Sequence, residues 1–210
     1  MEGILELGHT QYRERVLDVY ARMSFAEGEY QKSAESYLEL YNIAHDLKQR
    51  QFASEGYIDA SLRYLTGGKL KLAAEQVLKM PDATEWATRH AMLAKADVLR
   101  EDNNMIEAIG LYKKLAENTM TDEGVEAYYR LVENDYNNGD YTTAENRVYA
   151  LGKCSSEYWQ ARIFIVLGDV LVKNNNLFQA RATYRSVVDG YTPADDGIVA
   201  EAQAKLDKLN

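Results

Sequence analysis

The sequence predicts an all-α protein, a right-handed α-solenoid of about five helix–turn–helix units with one further helix at its C-terminal end. The first observation behind this is a repeat. A turn, an apolar anchor and a small residue three places later recur as Gly28-Glu29-Tyr30 to Ser33, Gly68-Lys69-Leu70 to Ala73, and Asn103-Asn104-Met105 to Ala108. The series continues with Gly139-Asp140-Tyr141 to Ala144 and Asn175-Asn176-Leu177 to Ala180. The anchors at 30, 70, 105, 141 and 177 stand 40, 35, 36 and 36 residues apart. A period of roughly 34 to 47 residues marks stacked helical units, each burying its apolar face on its neighbours. The second observation is that apolar residues around every anchor step by three and four, the helical spacing. The third is that the only prolines, Pro81 and Pro193, fall at predicted helix ends, so long helices stay unbroken.

The elements follow in order. Residues 1–13 read as the end of a preceding helix: Ile4, Leu5 and Leu7 lack a polar cap, and further repeats are expected upstream. The five units span about 14–51, 54–81, 86–118, 124–152 and 157–190, in one continuous array. The first helix of each opens on a large residue (Leu17, Tyr57, Met92, Tyr128, Phe164). Four residues on comes a mostly small one (Ala21, Ser61, Ala96, Val132, Gly168). The second helix carries a small site (Ser33, Ala73, Ala108, Ala144, Ala180), then a larger one (Tyr37, Val77, Tyr112, Val148, Tyr184). Small sites let two helices approach, and large ones fill the space beside them. The longer first step places about five extra residues at His45–Gln51, as a helix extension or a longer loop. Over 192–210, Thr192 is expected as N-cap and Pro193 as the first helical residue, with Asp195 and Asp196 at the positive helix end. Ile198, Ala202, Leu206 and Leu209 form its apolar stripe, and Glu201, Gln203, Lys205, Asp207 and Lys208 its wet side.

On these residues the chain resembles the tetratricopeptide repeat family. The fifth unit carries the pattern through Phe164, Leu167-Gly168, Leu177, Ala180 and Tyr184, and the fourth through Tyr128, Leu131, Gly139-Asp140-Tyr141 and Ala144. It departs at Val132, at Asp135 where an apolar residue is usual, and at Lys95 where the third unit would have Leu. The resemblance covers roughly residues 14–190. It is specific for fold and leaves function open, because one fold serves many partners.

Composition excludes several functions. With 46% hydrophobic and 27% charged residues, the chain has enough apolar content for a core. Its 24 basic and 33 acidic residues give a net charge of -9 and no basic stripe, which argues against nucleic acid. The longest apolar run, Ile163 to Leu167, is far short of the roughly 20 residues of a membrane-spanning helix. Residues 1–9 have no basic start and no long apolar stretch, unlike a secretory signal. The location therefore stays open: cytoplasmic for a complete chain, periplasmic or envelope-associated for a segment of a secreted parent.

No chemistry-bearing motif stands up. Cys154, the single cysteine, forms no internal disulfide, and nothing beside it in sequence suggests an activating base. His9, His45 and His90 are scattered without metal-ligand spacing. Gly67-Gly68-Lys69 is similar to the end of a phosphate loop, yet Leu62 replaces its first glycine and no hydroxyl residue follows the lysine. Asn134 to Glu145 has the length of a calcium loop, but Asn134 and Tyr136 stand where carboxylates are needed. The carboxylates are dispersed, so no catalytic pair, cofactor or metal site is expected.

What remains is binding. The resemblance implies that first-helix residues outside the core line the concave face. By that resemblance these include Arg22, Phe25, Ile58, Leu62, Leu65, Leu93, Arg100, Tyr129, Tyr136, Arg162 and Ile165, since aromatic residues and arginine are typical anchors. For Ile58, Leu62 and Leu93 the alternative is packing within the array or against an upstream repeat. Chaperone-binding relatives clamp a peptide carboxylate with Lys, Asn and Arg. Here Asp18, Arg22, Asp59, His90 and Ala94 hold those places, and Arg22 alone is basic, so that clamp is not expected. The reading is a non-catalytic scaffold or adaptor for a peptide or partner domain. The steps of 35 and 36, with Tyr191-Thr192-Pro193, are similar to bacterial cell-envelope repeat proteins. The alternatives are a structural spacer or self-associating segment, and an accessory domain of a larger enzyme or transporter.

Overall fold

The computed structural model describes residues 10–192 and 195–209, and these form eleven α-helices with no strand among them. The chain divides after Ala108 into two compact units. The first holds α1 (Thr10–Ala26), α2 (Tyr30–Ile43), α3 (Leu47–Tyr64), α4 (Gly67–Val77) and α5 (Glu85–Glu101). Helix α6 (Met105–Leu115) runs across the division. The second holds α7 (Asp122–Asn137), α8 (Tyr141–Ala150), α9 (Glu157–Lys173), α10 (Leu177–Gly190) and α11 (Ile198–Asp207). The expectations for Ile4, Leu5, Leu7, His9 and Pro193 fall outside the described residues.

Within the first unit α2 packs between α1 and α3, and α4 packs against α3 and α5. Helix α3 also touches both α1 and α5. The second unit repeats the scheme: α8 lies against α7 and α9, α10 against α9 and α11, and α9 touches both α7 and α11. Each unit therefore has a layer of odd-numbered helices backed by even-numbered ones.

The turns explain the spacing. Gly28, Asn103, Gly139 and Asn175 all have positive φ, between 58° and 78°. Glycine and asparagine tolerate that left-handed conformation best. After each, the next N–H reaches back five residues. Glu29 donates to the Ser24 carbonyl (2.8 Å), Asn104 to Leu99 (2.7 Å), Asp140 to Asp135 (3.0 Å) and Asn176 to Leu171 (2.8 Å). This Schellman closure satisfies helix-end carbonyls and reverses the chain in three residues.

The second turn is built differently. Helix α3 ends in extended Leu65, and α4 begins at Gly67, which itself has φ 52°. Helix α4 thus starts three residues before its anchor Leu70. Measured from their starts at Tyr30, Gly67, Met105, Tyr141 and Leu177, the even helices are 37, 38, 36 and 36 residues apart. The core sites Ala21 and Ser61, and Ser33 and Ala73, remain 40 residues apart, and α3 begins ten residues before Tyr57, where the later odd helices begin six or seven before Met92, Tyr128 and Phe164. Residues 47–51 are the first turn of α3, and the Arg50 guanidinium donates to the Ala44 (2.9 Å) and His45 (3.1 Å) carbonyls at the end of α2.

The predicted small and large sites are core, except that Tyr128 and Phe164 are half-buried against it. Ala21, Ser33, Ser61, Ala96, Ala108, Ala144 and Ala180 are fully buried, and Tyr112 and Tyr184 nearly so. Ser33 Oγ donates to the Ala21 carbonyl at 2.9 Å, so α1 and α2 touch backbone to side chain. The departures Lys95 and Asp135 prove to be cross-helix ion pairs, with Glu75 at 2.9 Å and Arg147 at 2.8 Å. The C-terminal helix starts later than expected. Thr192 is not helical. Instead Gly197, at φ 87°, precedes Ile198, whose N–H donates to Asp196 Oδ1 at 3.1 Å. Ile198, Ala202 and Leu206 are its buried face.

Candidate functional site

Each unit carries a cleft on its odd-numbered helices. In the first, α1 supplies Phe25, α3 supplies Phe52, Glu55, Gly56 and Asp59, and α5 supplies Trp86, around a volume of about 370 Å³. Phe52, Glu55, Gly56 and Asp59 share one face of α3 by their three- and four-residue steps. The floor is Tyr37 of α2, held edge-on to Phe52 with centroids 5.6 Å apart. Gly56 makes room for it: a Cβ there would fall 2.5 Å from the Tyr37 ring. Apart from Tyr37, the rings are only half-buried. The Arg22 guanidinium lies 4.3 Å from the Phe52 centroid while its Nε donates to Asp18 Oδ1 at 2.8 Å. Arg63 sits 5.0 Å over Phe25 and 3.4 Å from Asp59.

The second unit's cleft, about 160 Å³, is lined among others by Tyr129, Glu133, Tyr136, Arg162, Asp169 and Glu201. It is a closed polar network. The Tyr129 hydroxyl donates to Glu133 at 2.6 Å and accepts from Arg162 Nη2 at 3.0 Å. Arg162 Nη1 donates to Glu201 of α11 at 3.1 Å. Lys205 of α11 donates to both oxygens of Asp169, at 2.8 and 2.7 Å, and the Tyr184 hydroxyl donates to the same carboxylate at 2.7 Å. Burial pushes the phenols of Tyr129 and Tyr184 above the ordinary tyrosine value, and their carboxylate partners add to it. Every carboxylate here is paired, Glu133 with Arg130 at 3.7 Å, Glu201 with Arg162 and Asp169 with Lys205, which fixes geometry and leaves little to offer a ligand.

Of the predicted anchors, Arg22 and Phe25 meet at the first cleft, and Tyr129, Tyr136, Arg162 and Ile165 at the second. Three need correction as exposed anchors. Ile58 is 0% exposed, Tyr129 2% and Ile165 3%: Ile58 lies inside the first core, Tyr129 against Trp159 and Arg162 of α9, and Ile165 with Ile198 and Ala202 of α11. Leu65 packs half-buried against the first core, and Leu93 is half-buried. Leu62 is exposed, and Arg100 stands 3.9 Å from Asp97. Phe52 and Trp86 were not among the anticipated anchors. Phe52 lies two helical turns before Asp59 and Trp86 one turn before His90, which hold clamp places by the resemblance, so extending that face toward the helix start finds them. Glu201 and Lys205 were read as wet, yet they turn toward α9.

Among the described residues no three His, Cys, Asp or Glu side chains gather as a metal site. No helix among them is long and apolar enough to cross a membrane. Cys154 is half-buried and its thiol is pushed up by burial, which disfavours the thiolate a nucleophile needs. In comparison with known proteins, the sequence matches no family model and no curated protein.

Proposed function

We propose that this chain is a non-catalytic interaction scaffold of tetratricopeptide type. In this reading each unit is a stretch of helical-repeat solenoid, and a peptide or partner domain is gripped on the odd-helix face. The observation that carries it is the first cleft. Three half-buried rings from three successive odd helices, flanked by arginines, gather around one volume open to solvent. Aromatic and arginine anchors at the edge of a pocket are the usual energetic centres of an interface. The structured backbone around them lowers the ordering cost of binding. A role in bacterial cell-envelope assembly is part of this proposal and rests on the repeat spacing alone.

The test is capture from a lysate by the wild-type chain and by Phe25→Ala and Phe52→Ala variants, with helical melts run beside them. The expected result is a partner retained by the wild type and lost from both variants while the melts stay cooperative. Retention by all three rejects the cleft as the gripping surface.

A further inference from the structure

We propose that the first cleft is a subsite for a cationic side chain, lysine or arginine, of an extended partner segment. This deepens the scaffold reading and rests on it. The first argument is the rings. Phe25, Phe52 and Trp86 line one volume of about 370 Å³, with His90 stacked on one face of Trp86 at 3.7 Å, and aromatic faces attract ammonium and guanidinium groups. The protein's own arginines already use them: Arg22 stacks on Phe52, and Arg63 on Phe25 and Tyr30, at 4.3, 5.0 and 5.6 Å.

The second argument is charge. Glu55 and Asp59 lie one turn apart on the same wall as Phe52. The resident cations are already paired, Arg22 with Asp18 and Arg63 with Asp59. Glu55, half-buried, has no hydrogen-bond or ion-pair partner among the described residues. Asp18, Glu55 and Asp59 therefore outnumber Arg22 and Arg63 around the rings. A lysine or arginine whose stem lies along Phe52 and Trp86 brings its charged head to Glu55. The net charge of -9 steers cations toward the chain as a whole.

The experiment titrates the full chain with a blocked decapeptide of alternating alanine and lysine, at physiological ionic strength. Comparison peptides replace lysine by acetyl-lysine or by glutamate. The readouts are calorimetric affinity and the indole N–H resonances of Trp86 and Trp159, assigned with Trp86→Phe. The lysine peptide is expected to shift the Trp86 resonance and to bind at least about tenfold more tightly than the acetylated one. Glu55→Gln is expected to remove about that tenfold advantage, while Glu101→Gln, an exposed carboxylate outside the cleft, leaves it intact.

No Trp86 shift with the lysine peptide overturns the proposal, as does equal binding of the acetylated peptide or full binding by Glu55→Gln. Tighter binding of the glutamate peptide overturns it in favour of an arginine-led site while sparing the scaffold reading. Loss of the scaffold reading itself shows separately, as partner capture that ignores Phe25→Ala and Phe52→Ala.

Discussion

Gly168 of α9 lies directly under the ring of Tyr184 of α10, so that a Cβ at Gly168 would stand 2.2 Å from Tyr184 Cε1. The ring is 1% exposed and its hydroxyl is tied to Asp169, so it has nowhere to retreat. Gly168→Ala is expected to destabilise the second unit by about 1–3 kcal/mol, the usual cost of overpacking. Urea unfolding followed by far-UV dichroism measures it. A midpoint equal to the wild type would mean that the two helices separate freely.

The left-handed turn residues give a paired test. Asn175 has φ 58°, which a residue with a Cβ and no local hydrogen bonding adopts at a cost of about 1–2 kcal/mol. Asn175→Ala is expected to lower stability by about that amount, and Asn175→Gly to match or exceed the wild type. The same ordering is expected at Asn103. Thermal melts of the four variants decide it, and equal melts for alanine and glycine would contradict the turn geometry.

Alkaline pH should unfold the protein in a defined sense. Tyr184 and Tyr129 keep their phenols protonated above the ordinary range because burial disfavours the anion. The unfolded phenols ionise near pH 10. The stability they contribute is complete below about pH 10 and is lost as pH rises from there toward their folded values. Melting temperature should therefore hold up to about pH 10 and fall beyond it. Tyr184→Phe should be less stable at neutral pH, having lost its bond to Asp169, and should fall less steeply in alkali. An identical slope in the variant would remove Tyr184 from the account.

The bridges to α11 are predicted to be modest. Lys205 and Asp169 are 27% and 22% exposed, and Arg162 and Glu201 more so. Lys205→Met should cost about 1 kcal/mol or less, and the loss should shrink in high salt. Amide exchange over Ile198–Asp207 reads it locally. A loss of several kcal/mol would mean that α11 is held by its charges and not by Ile198, Ala202 and Leu206.

Much of this was legible in the residues. Four turns announced themselves because a positive φ in a short helix connection calls for glycine or asparagine, which stand at 28, 103, 139 and 175. The second turn misled because Gly67 and Gly68 both permit the conformation, and only the end of α3 at Tyr64 decides between them. The small and large core sites were readable because helical spacing is a local property. The binding face was not fully so. Whether Ile58 or Phe52 faces solvent depends on how far α1 and α5 overlap α3, and spacing within α3 carries no record of that. The polar side of α11 misled in the opposite sense, since charged residues read as wet until Arg162 and Asp169 are seen opposite them.

The central claim is that a partner docks on the odd-helix face at the first cleft. Side-chain oxidative footprinting of the chain with and without its captured partner tests it most directly. The account predicts protection of Phe25, Phe52 and Trp86, with Ile106 and Phe178, exposed residues of even helices, unchanged. Protection of Ile106 or Phe178 with the cleft residues still reactive would contradict it.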